Sequence, residues 1–362
     1  DFAEAYNNMG TSLKGKYELD AAIDSYKQAI RIKPDYAKAI YNLGVTLQER
    51  GDLNAAIDSY KQAIKIKPNY AEAHINMGNA LKDIGDLDAA LDIYKHTVKI
   101  KPDDPGVYKN MGNVLRDNND LQASINSYKK AIKLDPNYTS AYLNLSLSHL
   151  SLRDFKNGWA HYEQRWGVDS FTSPPLQSSK PRWDSSKTGR VLLWLEQGVG
   201  DVIMFSSMIS ELYQLSQKLI VQLDERLIPL FRRSFSRDII YYSHNKTIPE
   251  TLYDYHIPFG SLPMHFRPDL KSFKQSSGAY LKADKSLVNK LRKILVGKNR
   301  DYLIGLTWRG GNKKDSLPTN KSIDLKRVAR VLNKKNIKIV NLQYGDTNEE
   351  FKKLKTDYGI EV

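Results

Sequence analysis

Two short glycine-containing segments have the residue types of a phosphate-binding turn. The first is Gly198–Asp201 and the second is Arg309–Asn312. Glycine lets the backbone approach a ligand closely, and a helix that begins near Asp201 directs its positive end toward an anion. In the second segment, Arg309 can pair with a diphosphate oxygen and Lys313 can neutralise a leaving group. The candidate anion-binding residues are Gly198, Gly200, Arg309, Gly310, Gly311, Asn312 and Lys313.

Each segment also has a simpler interpretation. Asp201 precedes the apolar residues Val202–Met204, and an aspartate in that place can cap a helix by accepting from its free backbone N–H groups. A carboxylate held in this way is a weaker base, so capping and acid–base chemistry compete. The segment around Arg309 can be a flexible loop with solvated cations. The sequence leaves these alternatives open.

Five asparagines recur at an interval of 34 residues. In a right-handed solenoid of helix pairs, the first helix of each pair lines the concave surface, so these side chains would form a row along one groove. An amide both donates and accepts, and can therefore hold a peptide backbone of any sequence. Hydrogen bonding between helices is the alternative role. The residues are Asn8, Asn42, Asn76, Asn110 and Asn144.

Other residue types keep the same interval, so residues 1–166 form one unit repeated five times. A glycine lies two residues after each of the first four asparagines, and Ser146 takes its place in the fifth unit. Apolar residues at helical spacing, a turn at Gly51–Asp52 and a stop at Pro68 predict two helices per unit. This pattern predicts an α-solenoid and resembles the tetratricopeptide repeat. The other recurring residues are Tyr26, Tyr60, Tyr94, Tyr128 and Tyr162, with Pro34, Pro68, Pro102 and Pro136.

The fifth unit is rich in large aromatic residues. Trp159 and Trp166 lie within it, and Trp183 follows shortly after. A terminal repeat must bury its last face, and aromatic side chains do so with much area and little entropy. We therefore expect a seal between the solenoid and the next domain, with an aromatic ligand platform as the alternative. Residues 167–189, rich in Ser, Thr, Pro and Lys, are predicted to be a linker.

Beyond the linker, the pattern changes to that of an α/β fold. Arg190–Leu195 is a nearly continuous apolar run, typical of a strand buried on both faces, and a glycine turn and a helix from Val202 to about residue 215 follow it. A second start of this kind appears at Tyr302–Trp308. We expect residues 190–300 to form a first Rossmann-like half and residues 301–362 to begin a second one.

Seven segments occur in a recognisable order: Gly158–Trp166, Pro181–Trp183, Leu192–Phe205, Ile257–Pro263, Ile304–Asn312, Ser322–Leu325 and Asn341–Gln343. The order resembles that of bacterial tetratricopeptide-repeat proteins with a glycosyltransferase-like C-terminal region. That region is similar to the ADP-heptose:lipopolysaccharide heptosyltransferases, and the overall plan is similar to that of the O-linked N-acetylglucosamine transferases. The resemblance implies a GT-B architecture, in which two Rossmann-like halves face each other across a cleft. It also implies a nucleotide-sugar as substrate, with no cofactor and no metal.

The resemblance implies roles for particular residues. Heptosyltransferases have a Gly-Asp pair at the first strand–helix turn, whose aspartate acts as base on the acceptor hydroxyl, and Gly200 with Asp201 matches that pair. Asp201 is therefore the candidate catalytic residue. A lysine follows the corresponding strand of the second half in that family, where this chain has Lys313 and Lys314. In the O-linked transferases an asparagine ladder holds extended polypeptide, which implies a protein or peptide in the repeat groove.

The chain also departs from these families. The late acidic-Ser/Thr-x-x-His-x-Ala segment that binds the donor has no counterpart, and residues 301–362 are too few for a complete second half. We therefore predict that the chain is a fragment, with a truncated second half. The full-length parent would be a glycosyltransferase, and the chain alone would be inactive and bind nucleotide-sugars weakly. The alternative is a protein-binding scaffold with a degenerate, non-catalytic glycosyltransferase-like domain.

The charge is unevenly distributed. Residues 1–170 carry 22 basic and 22 acidic side chains, whereas residues 171–362 carry 33 and 19. A basic second half favours an anionic partner such as a nucleotide-sugar diphosphate, nucleic acid, or an acidic polymer or membrane surface. A lysine-rich solvated surface is the simpler interpretation. Nucleic acid is disfavoured because the paired lysines have no interleaved aromatic residues.

Composition excludes several kinds of site. The chain has 0 cysteines, which excludes disulfides, thiolate zinc sites and cysteine nucleophiles, and which is typical of the cytoplasm. His244, His256 and His265 are too scattered to predict a metal site. No apolar stretch approaches the length needed to span a bilayer.

Overall fold

The 34-residue repeat folds as two helices joined by a tight turn. The computed structural model describes residues 2–169, 171, 173–273, 279–296, 302–308, 323–332, 337–343 and 345–359, and ten helices lie in its described residues up to Tyr162. The predicted α-solenoid is confirmed. The pairs are α1 (Phe2–Gly15) with α2 (Leu19–Ile32), α3 (Ala37–Arg50) with α4 (Leu53–Ile66), α5 (Ala71–Asp83) with α6 (Leu87–Ile100), α7 (Pro105–Asp117) with α8 (Leu121–Leu134), and α9 (Thr139–Ser151) with α10 (Phe155–Tyr162).

The turn inside each pair places one residue in the left-handed backbone region. Gly51 and Gly85 have φ of 96° and 89°, which glycine adopts without a Cβ clash. The equivalent residues of the other units are Tyr17, Asn119 and Arg153, with φ of 65°, 61° and 61°. The geometry of the repeat therefore sets this conformation even where the residue type does not favour it.

Close approach of the two helices depends on a glycine that faces a tyrosine ring. A Cβ at Gly112 would lie 2.5 Å from Cε1 of Tyr128, and one at Gly44 would lie 2.7 Å from Cε1 of Tyr60. Gly10 and Gly78 face their tyrosines in the same way. The rings at 26, 60, 94 and 128 are buried, so the tyrosine occupies the volume that any side chain on the glycine would need.

The fifth unit places a histidine where the other units have a leucine. His149 is buried on α9, its ring stacks on His161 with centroids 5.6 Å apart, and its Nδ1 lies 2.8 Å from Oδ2 of Asp154. Burial lowers the pKa of His149 and outweighs the opposing effect of Asp154, while His161 and Lys129 act in the same direction as burial. The leucines at this position are Leu13, Leu47, Leu81 and Leu115.

The lowered pKa of His149 predicts a loss of stability in acid. The unfolded chain takes up the proton at a higher pH than the folded chain does, so stability is full above the unfolded pKa of about 6.5 and falls as the pH drops below it. His149→Leu removes this contribution and restores the residue of the other units. As the pH falls from 7 to 5, we expect the free energy of unfolding of the variant to rise relative to that of the parent. Denaturant unfolding across that range measures this difference. A difference that does not change with pH would contradict the assignment.

Residues 190–258 form a four-stranded parallel sheet, in the order β3 (Ile240–Ser243), β2 (Lys218–Leu223), β1 (Arg190–Trp194) and β4 (Tyr255–Pro258). The first strand is buried on both faces from Val191 to Trp194, as its apolar run predicts. The repeats and this sheet belong to one compact unit that ends at Tyr280. Its elements are β1 (Arg190–Trp194), α11 (Val199–Phe205), α12 (Ile209–Leu215), β2 (Lys218–Leu223), α13 (Ile228–Ser234), β3 (Ile240–Ser243), β4 (Tyr255–Pro258) and α14 (Leu262–Phe266).

The predicted helix from Val202 to about residue 215 is wrong in two respects. It begins at Val199, three residues earlier, and a 3₁₀ turn at Ser206–Met208 divides it into α11 and α12. Gly198, rather than Asp201, is the N-cap residue, and it is extended with ψ of 168°. The glycine-rich sequence concealed this start because helix propensity counts against Gly200 in the first turn.

The second unit begins at Leu281. Its two strands pair in parallel, and its core contains Leu306, Trp308, Leu325, Ile339 and Leu354. The elements are α15 (Lys285–Val296), β5 (Tyr302–Leu306), α16 (Leu325–Leu332), β6 (Ile337–Asn341) and α17 (Asn348–Tyr358). Among the described ranges of the whole chain, no helix has the length and apolar character to cross a bilayer.

Candidate functional site

A buried ion pair joins the last repeat to the sheet. Nη2 of Arg165 lies 2.7 Å from Oε2 and 3.0 Å from Oε1 of Glu196. Arg165 is 0% exposed and Glu196 is 2% exposed. Taking both charges out of water costs several kcal/mol per ion, so such a pair persists only where further hydrogen bonds complete it.

Those further hydrogen bonds are present. Nη1 of Arg165 donates to Oε1 of Glu163 at 2.8 Å, and Nη2 donates to Oγ of Ser261 at 3.0 Å. The backbone N–H of Gly260 donates to Oε1 of Glu196 at 2.7 Å, and Ser261 donates to Oε1 of Glu163 at 2.7 Å. The cluster thus connects the residues after α10, the end of β1 and the residues after β4.

Burial and charge act in opposite directions on this pair. Burial raises the pKa of Glu196 and outweighs Arg165 and the Gly260 N–H, which lower it. Burial lowers the pKa of Arg165, but Glu196 and Glu163 more than offset this and raise it. Both oxygens of Glu196 face donors only, so the ionised carboxylate is the form that this geometry holds.

The glycine at 260 is required by the same cluster. A Cβ at Gly260 would lie 2.2 Å from Oε1 of Glu196. Any side chain there would displace the carboxylate from the N–H that binds it. Gly260 therefore allows the carboxylate of Glu196 to approach the backbone closely.

The residue type at position 165 departs from the pattern of the repeat. The equivalent residues of the earlier units are small and buried: Ala29, Ala63, Thr97 and Ala131. A charged residue at such a position needs a partner from outside the repeat. The partner, Glu196, is 31 residues away and could be identified only from the fold.

Arg165 lies where a parallel sheet usually binds a ligand. The strand order reverses between β1 and β4, and ligands of open α/β sheets bind outside the carboxyl ends of the strands at such a point. Here Glu196 follows β1, Gly260 and Ser261 follow β4, and Arg165 donates to both Glu196 and Ser261. A side chain of the last repeat therefore fills part of this crevice.

The turn with the candidate base begins two residues after Glu196. Gly198 and Gly200 are exposed, and Asp201 is half-buried as the third residue of α11. α11 has no side-chain cap, so Asp201 does not fill the capping role that was the alternative. Oδ2 of Asp201 lies 3.7 Å from the position of a Cβ built on Gly198, which places the carboxylate back over the turn.

The second predicted anion-binding segment lies outside the described residues. It consists of Arg309, Gly310, Gly311, Asn312 and Lys313. The structure therefore brings together Gly198, Gly200 and Asp201 only, and the anion-binding set as a whole stays a prediction.

A cavity of about 780 Å³ lies at the carboxyl ends of β1, β2 and β3. Its lining includes Gln197 from the first strand end, Gln222 from β2, and His244 and Lys246 from the loop after β3. Gln177, in the segment predicted as a linker, also contributes. Gly198, Gly200 and Asp201 are not among the lining residues, so this cavity and the candidate turn are separate places on the sheet edge.

The five asparagines lie on the first helices, as the period predicts. Asn8 is exposed and the other four are half-buried. Nδ2 of Asn42 donates to Oδ1 of Asn7 at 2.9 Å, and Nδ2 of Asn76 donates to the Tyr41 hydroxyl at 2.9 Å. Each of these bonds joins one unit to the preceding one.

The last two asparagines have partners of the same kind. Nδ2 of Asn144 donates to Oδ1 of Asn113 at 3.0 Å, and Arg116 donates to Oδ1 of Asn144 at 3.3 Å. Asn110 lowers the pKa of Tyr94 by hydrogen bonding, although burial is the larger effect and raises that pKa. The row therefore connects neighbouring helices, whatever else it binds.

The tryptophans form the seal that their clustering predicts. Nε1 of Trp159 donates to the carbonyl of Arg267 at 3.0 Å, and the rings of Trp166 and Trp194 have centroids 5.6 Å apart. Trp183 stacks on Phe266 at 5.9 Å. The seal between solenoid and sheet is confirmed, and these aromatic faces are occupied by protein.

Comparison with known proteins agrees with the repeat geometry. A family model described as TPR repeat matches residues 13–49, 47–85 and 112–152, and one described as tetratricopeptide repeat matches residues 71–104. The solenoid consists of tetratricopeptide repeats. Repeats of this type are protein-binding scaffolds, and the matched residues span parts of all five helix pairs.

Individual relatives are distant. Protein FlbA of Caulobacter vibrioides is 25% identical over 232 residues, which are 59% of this chain and 38% of that protein. The chain thus spans less than two fifths of that relative. Among solved structures, MamA from Desulfovibrio magneticus RS-1 is 23% identical, with a TM-score of 0.43 over 45% of this chain and 93% of that one. YrrB, titled a TPR protein with an unusual peptide-binding site, is 18% identical, with a TM-score of 0.39 over 44% and 82% of the two chains.

The ion pair gives a stability prediction with a matched control. Arg165→Leu leaves Glu196 buried without its cation, so we expect the free energy of unfolding to fall by about 3–5 kcal/mol. Arg182→Leu removes an arginine that pairs with Glu163 at 2.9 Å but is 43% exposed, and should cost less than about 1 kcal/mol. Denaturant unfolding measures both. Equal losses would show that burial does not decide the contribution of the pair.

Proposed function

We propose that the chain holds an extended polypeptide along the concave face of its repeats. The observation that carries this proposal is the row of asparagines, one on each first helix, none of them buried. Tetratricopeptide repeats bind proteins, and a row of amides at fixed spacing suits a partner with evenly spaced backbone groups.

Helix packing supports the concave placement. Successive first helices contact each other along the solenoid, from α1 with α3 to α7 with α9. Successive second helices of the described repeats make fewer contacts. The side on which helices lie closer together is the inner side of a curved array, so the asparagines line the groove.

The hydrogen bonds between units define how the amides would bind. Asn42 and Asn76, which donate through Nδ2 to the preceding unit, keep Oδ1 as an acceptor, whereas Oδ1 of Asn144 accepts from Arg116. A carbonyl oxygen accepts from a peptide N–H, which every residue except proline provides. The row would therefore recognise main chain rather than sequence. Residues 1–170 carry 22 basic and 22 acidic groups, which favours binding that depends little on salt.

The groove prediction concerns a triple variant. Replacing Asn42, Asn76 and Asn110 by alanine removes three hydrogen bonds worth about 0.5–1.5 kcal/mol each, so affinity for a peptide should fall roughly 10²-fold or more. Fluorescence polarisation of a labelled unstructured peptide measures the affinity, and a thermal melt measures the loss of bonds between units.

A control variant separates the two roles of the asparagine row, which are peptide binding and hydrogen bonding between units. Tyr41→Phe deletes the hydroxyl that accepts from Asn76 but leaves the amide in place. It should reproduce part of the loss of stability while peptide affinity stays within about twofold, because the bond to the peptide is retained. Gln28→Ala and Gln62→Ala remove exposed amides from the second helices and should change neither. Unchanged affinity in the triple variant would mean that the asparagines only join helices.

A second function, sugar transfer, is supported by the position of Asp201. The carboxylate follows a buried parallel strand and lies at the carboxyl edge of the sheet, where ligands of such folds bind. The N-cap residue of α11 is Gly198, so the capping role does not fall to Asp201. A hydroxyl is a poor nucleophile, and a carboxylate at this edge can take its proton as the bond to the sugar forms.

The rest of a GT-B transferase belongs to the same proposal. The nucleotide-sugar would be a substrate, with Gly198 and Gly200 near its phosphates. A protein held in the groove would be the acceptor. Without catalysis, the same geometry describes a protein-binding scaffold.

Asp201→Asn tests the transferase role. The amide keeps the shape but cannot accept the proton, so turnover should fall roughly 10²-fold or more. Because α11 begins at Val199 and has no side-chain cap, the free energy of unfolding should change by less than about 1 kcal/mol. Release of nucleotide from a panel of nucleotide-sugars is the assay, in a form of the protein that transfers sugar. Full activity in the variant would remove Asp201 from the mechanism.

A further inference from the structure

We propose that Tyr162, the tyrosine of the last repeat, is a positioning residue for the turn Gly198–Asp201. The inference rests on the proposed function only because Asp201, the proposed base, is the group that is positioned. It assigns a second role to a residue that the 34-residue period identifies as a repeat tyrosine.

The hydroxyl of this tyrosine has a different partner from those of the other units. In the first four units it donates to a residue on the first helix of its own unit. In the fifth, the Tyr162 hydroxyl accepts from Nε2 of Gln197 at 2.7 Å, in the residues that lead into the turn. The four earlier bonds are Tyr26 to Thr11 at 3.3 Å, Tyr60 to Gln48 at 2.8 Å, Tyr94 to Asn79 at 2.7 Å and Tyr128 to Asn113 at 2.8 Å.

The cause of the change lies on α9. The first four tyrosine rings occupy the space beside a glycine, where a Cβ would lie 2.5 to 2.8 Å from the ring. The fifth unit has Ser146 in place of that glycine, so its tyrosine cannot pack in the same way. Tyr162 is accordingly half-buried, whereas the other four are fully buried.

The turn itself has few restraints of its own. It contains two glycines, α11 has no side-chain cap, and nothing lies within 4 Å of a Cβ position at Gly200. It is held from the side of α11, where Val202 is buried and the Tyr280 hydroxyl donates to the carbonyl of Ile203 at 2.6 Å. On the other side, Glu196 and Gln197 are held by Arg165 and Tyr162.

The carboxylate lies within electrostatic range of the tyrosine. Burial is the main cause that raises the pKa of Tyr162, and the negative charge of Asp201 adds to it. Because Gln197 leads into the turn, loss of its bond to Tyr162 would free the strand-side end of the turn. The repeat tyrosine thus restrains the residues from which Asp201 projects.

Hydrogen exchange of the Val202 amide tests this role. That N–H donates to the carbonyl of Gly198 at 3.1 Å, so its exchange reports whether the turn keeps its form. In the full chain, Tyr162→Phe should accelerate exchange at Val202 roughly fivefold or more, because one hydrogen bond is lost. The matched control is Tyr128→Phe, which deletes the same hydroxyl one repeat earlier and should leave Val202 unchanged.

A second pair of measurements separates positioning from general destabilisation. Gln197→Leu should have the same effect as Tyr162→Phe, and the double variant should exchange no faster than either single variant, because both break one bond. Additive effects, or equal acceleration by Tyr128→Phe, would overturn the proposal.

Activity then distinguishes this inference from the function on which it rests. In a form that transfers sugar, Tyr162→Phe should lower kcat and leave KM for the donor unchanged. If exchange responds as expected but Asp201→Asn keeps full turnover, the positioning role stands and the catalytic role of Asp201 fails. If Asp201→Asn abolishes turnover while Tyr162→Phe changes neither exchange nor kcat, the positioning role fails.

Discussion

The buried pair of Arg165 and Glu196 is the contact on which the first unit depends. Two buried charges are tolerated because neighbouring groups hydrogen-bond to them: Glu163 and Ser261 accept from the guanidinium, and Gly260 donates to the carboxylate. Such a cluster is stable in one arrangement only, since a small displacement leaves a buried charge without its partner. It therefore fixes the last repeat against the ends of β1 and β4. For that reason the solenoid and the sheet form one compact unit, although the sequence predicts separate domains.

The repeat becomes an interface through changes at its own recurring positions. The fifth unit has Ser146 in place of glycine, His149 in place of leucine and Arg165 in place of a small residue. The contacts of the unit differ accordingly: Tyr162 accepts from Gln197, His149 pairs with Asp154, and Arg165 pairs with Glu196. A terminal repeat has one face with no following helix pair. Arg165 and Tyr162 place that face against the residues after β1 and β4.

Sequence spacing predicted the helices and strands, but it did not predict the contacts between residues that are far apart in the chain. The 34-residue period and the apolar runs placed the helix pairs and the buried strand β1, because those features depend on neighbouring residues. The start of α11 at Val199 was missed because two glycines obscure helix propensity. The partner of Arg165 and the acceptor for Asn76 depend on which surfaces meet, which a single sequence does not encode in its spacing. The asparagine row was placed correctly on the first helices, but its bonds between units required the structure.

Residues of both proposed functions lie in the last helix pair, α9 and α10. α9 carries Asn144, the last member of the asparagine row, and Ser146, the residue that displaces the repeat tyrosine. Arg116 and Asn113 hold Asn144, while Tyr162 and Arg165 hold the residues before the turn. A polypeptide bound along the row would thus end against the same unit that restrains Asp201. A binding scaffold needs no such connection, since its groove works wherever the next domain sits. An enzyme that modifies a bound polypeptide does need it, because the reacting group must be held at a fixed distance from the groove that delivers the substrate. The junction made by Arg165 and Tyr162 therefore supports the modifying role that we propose.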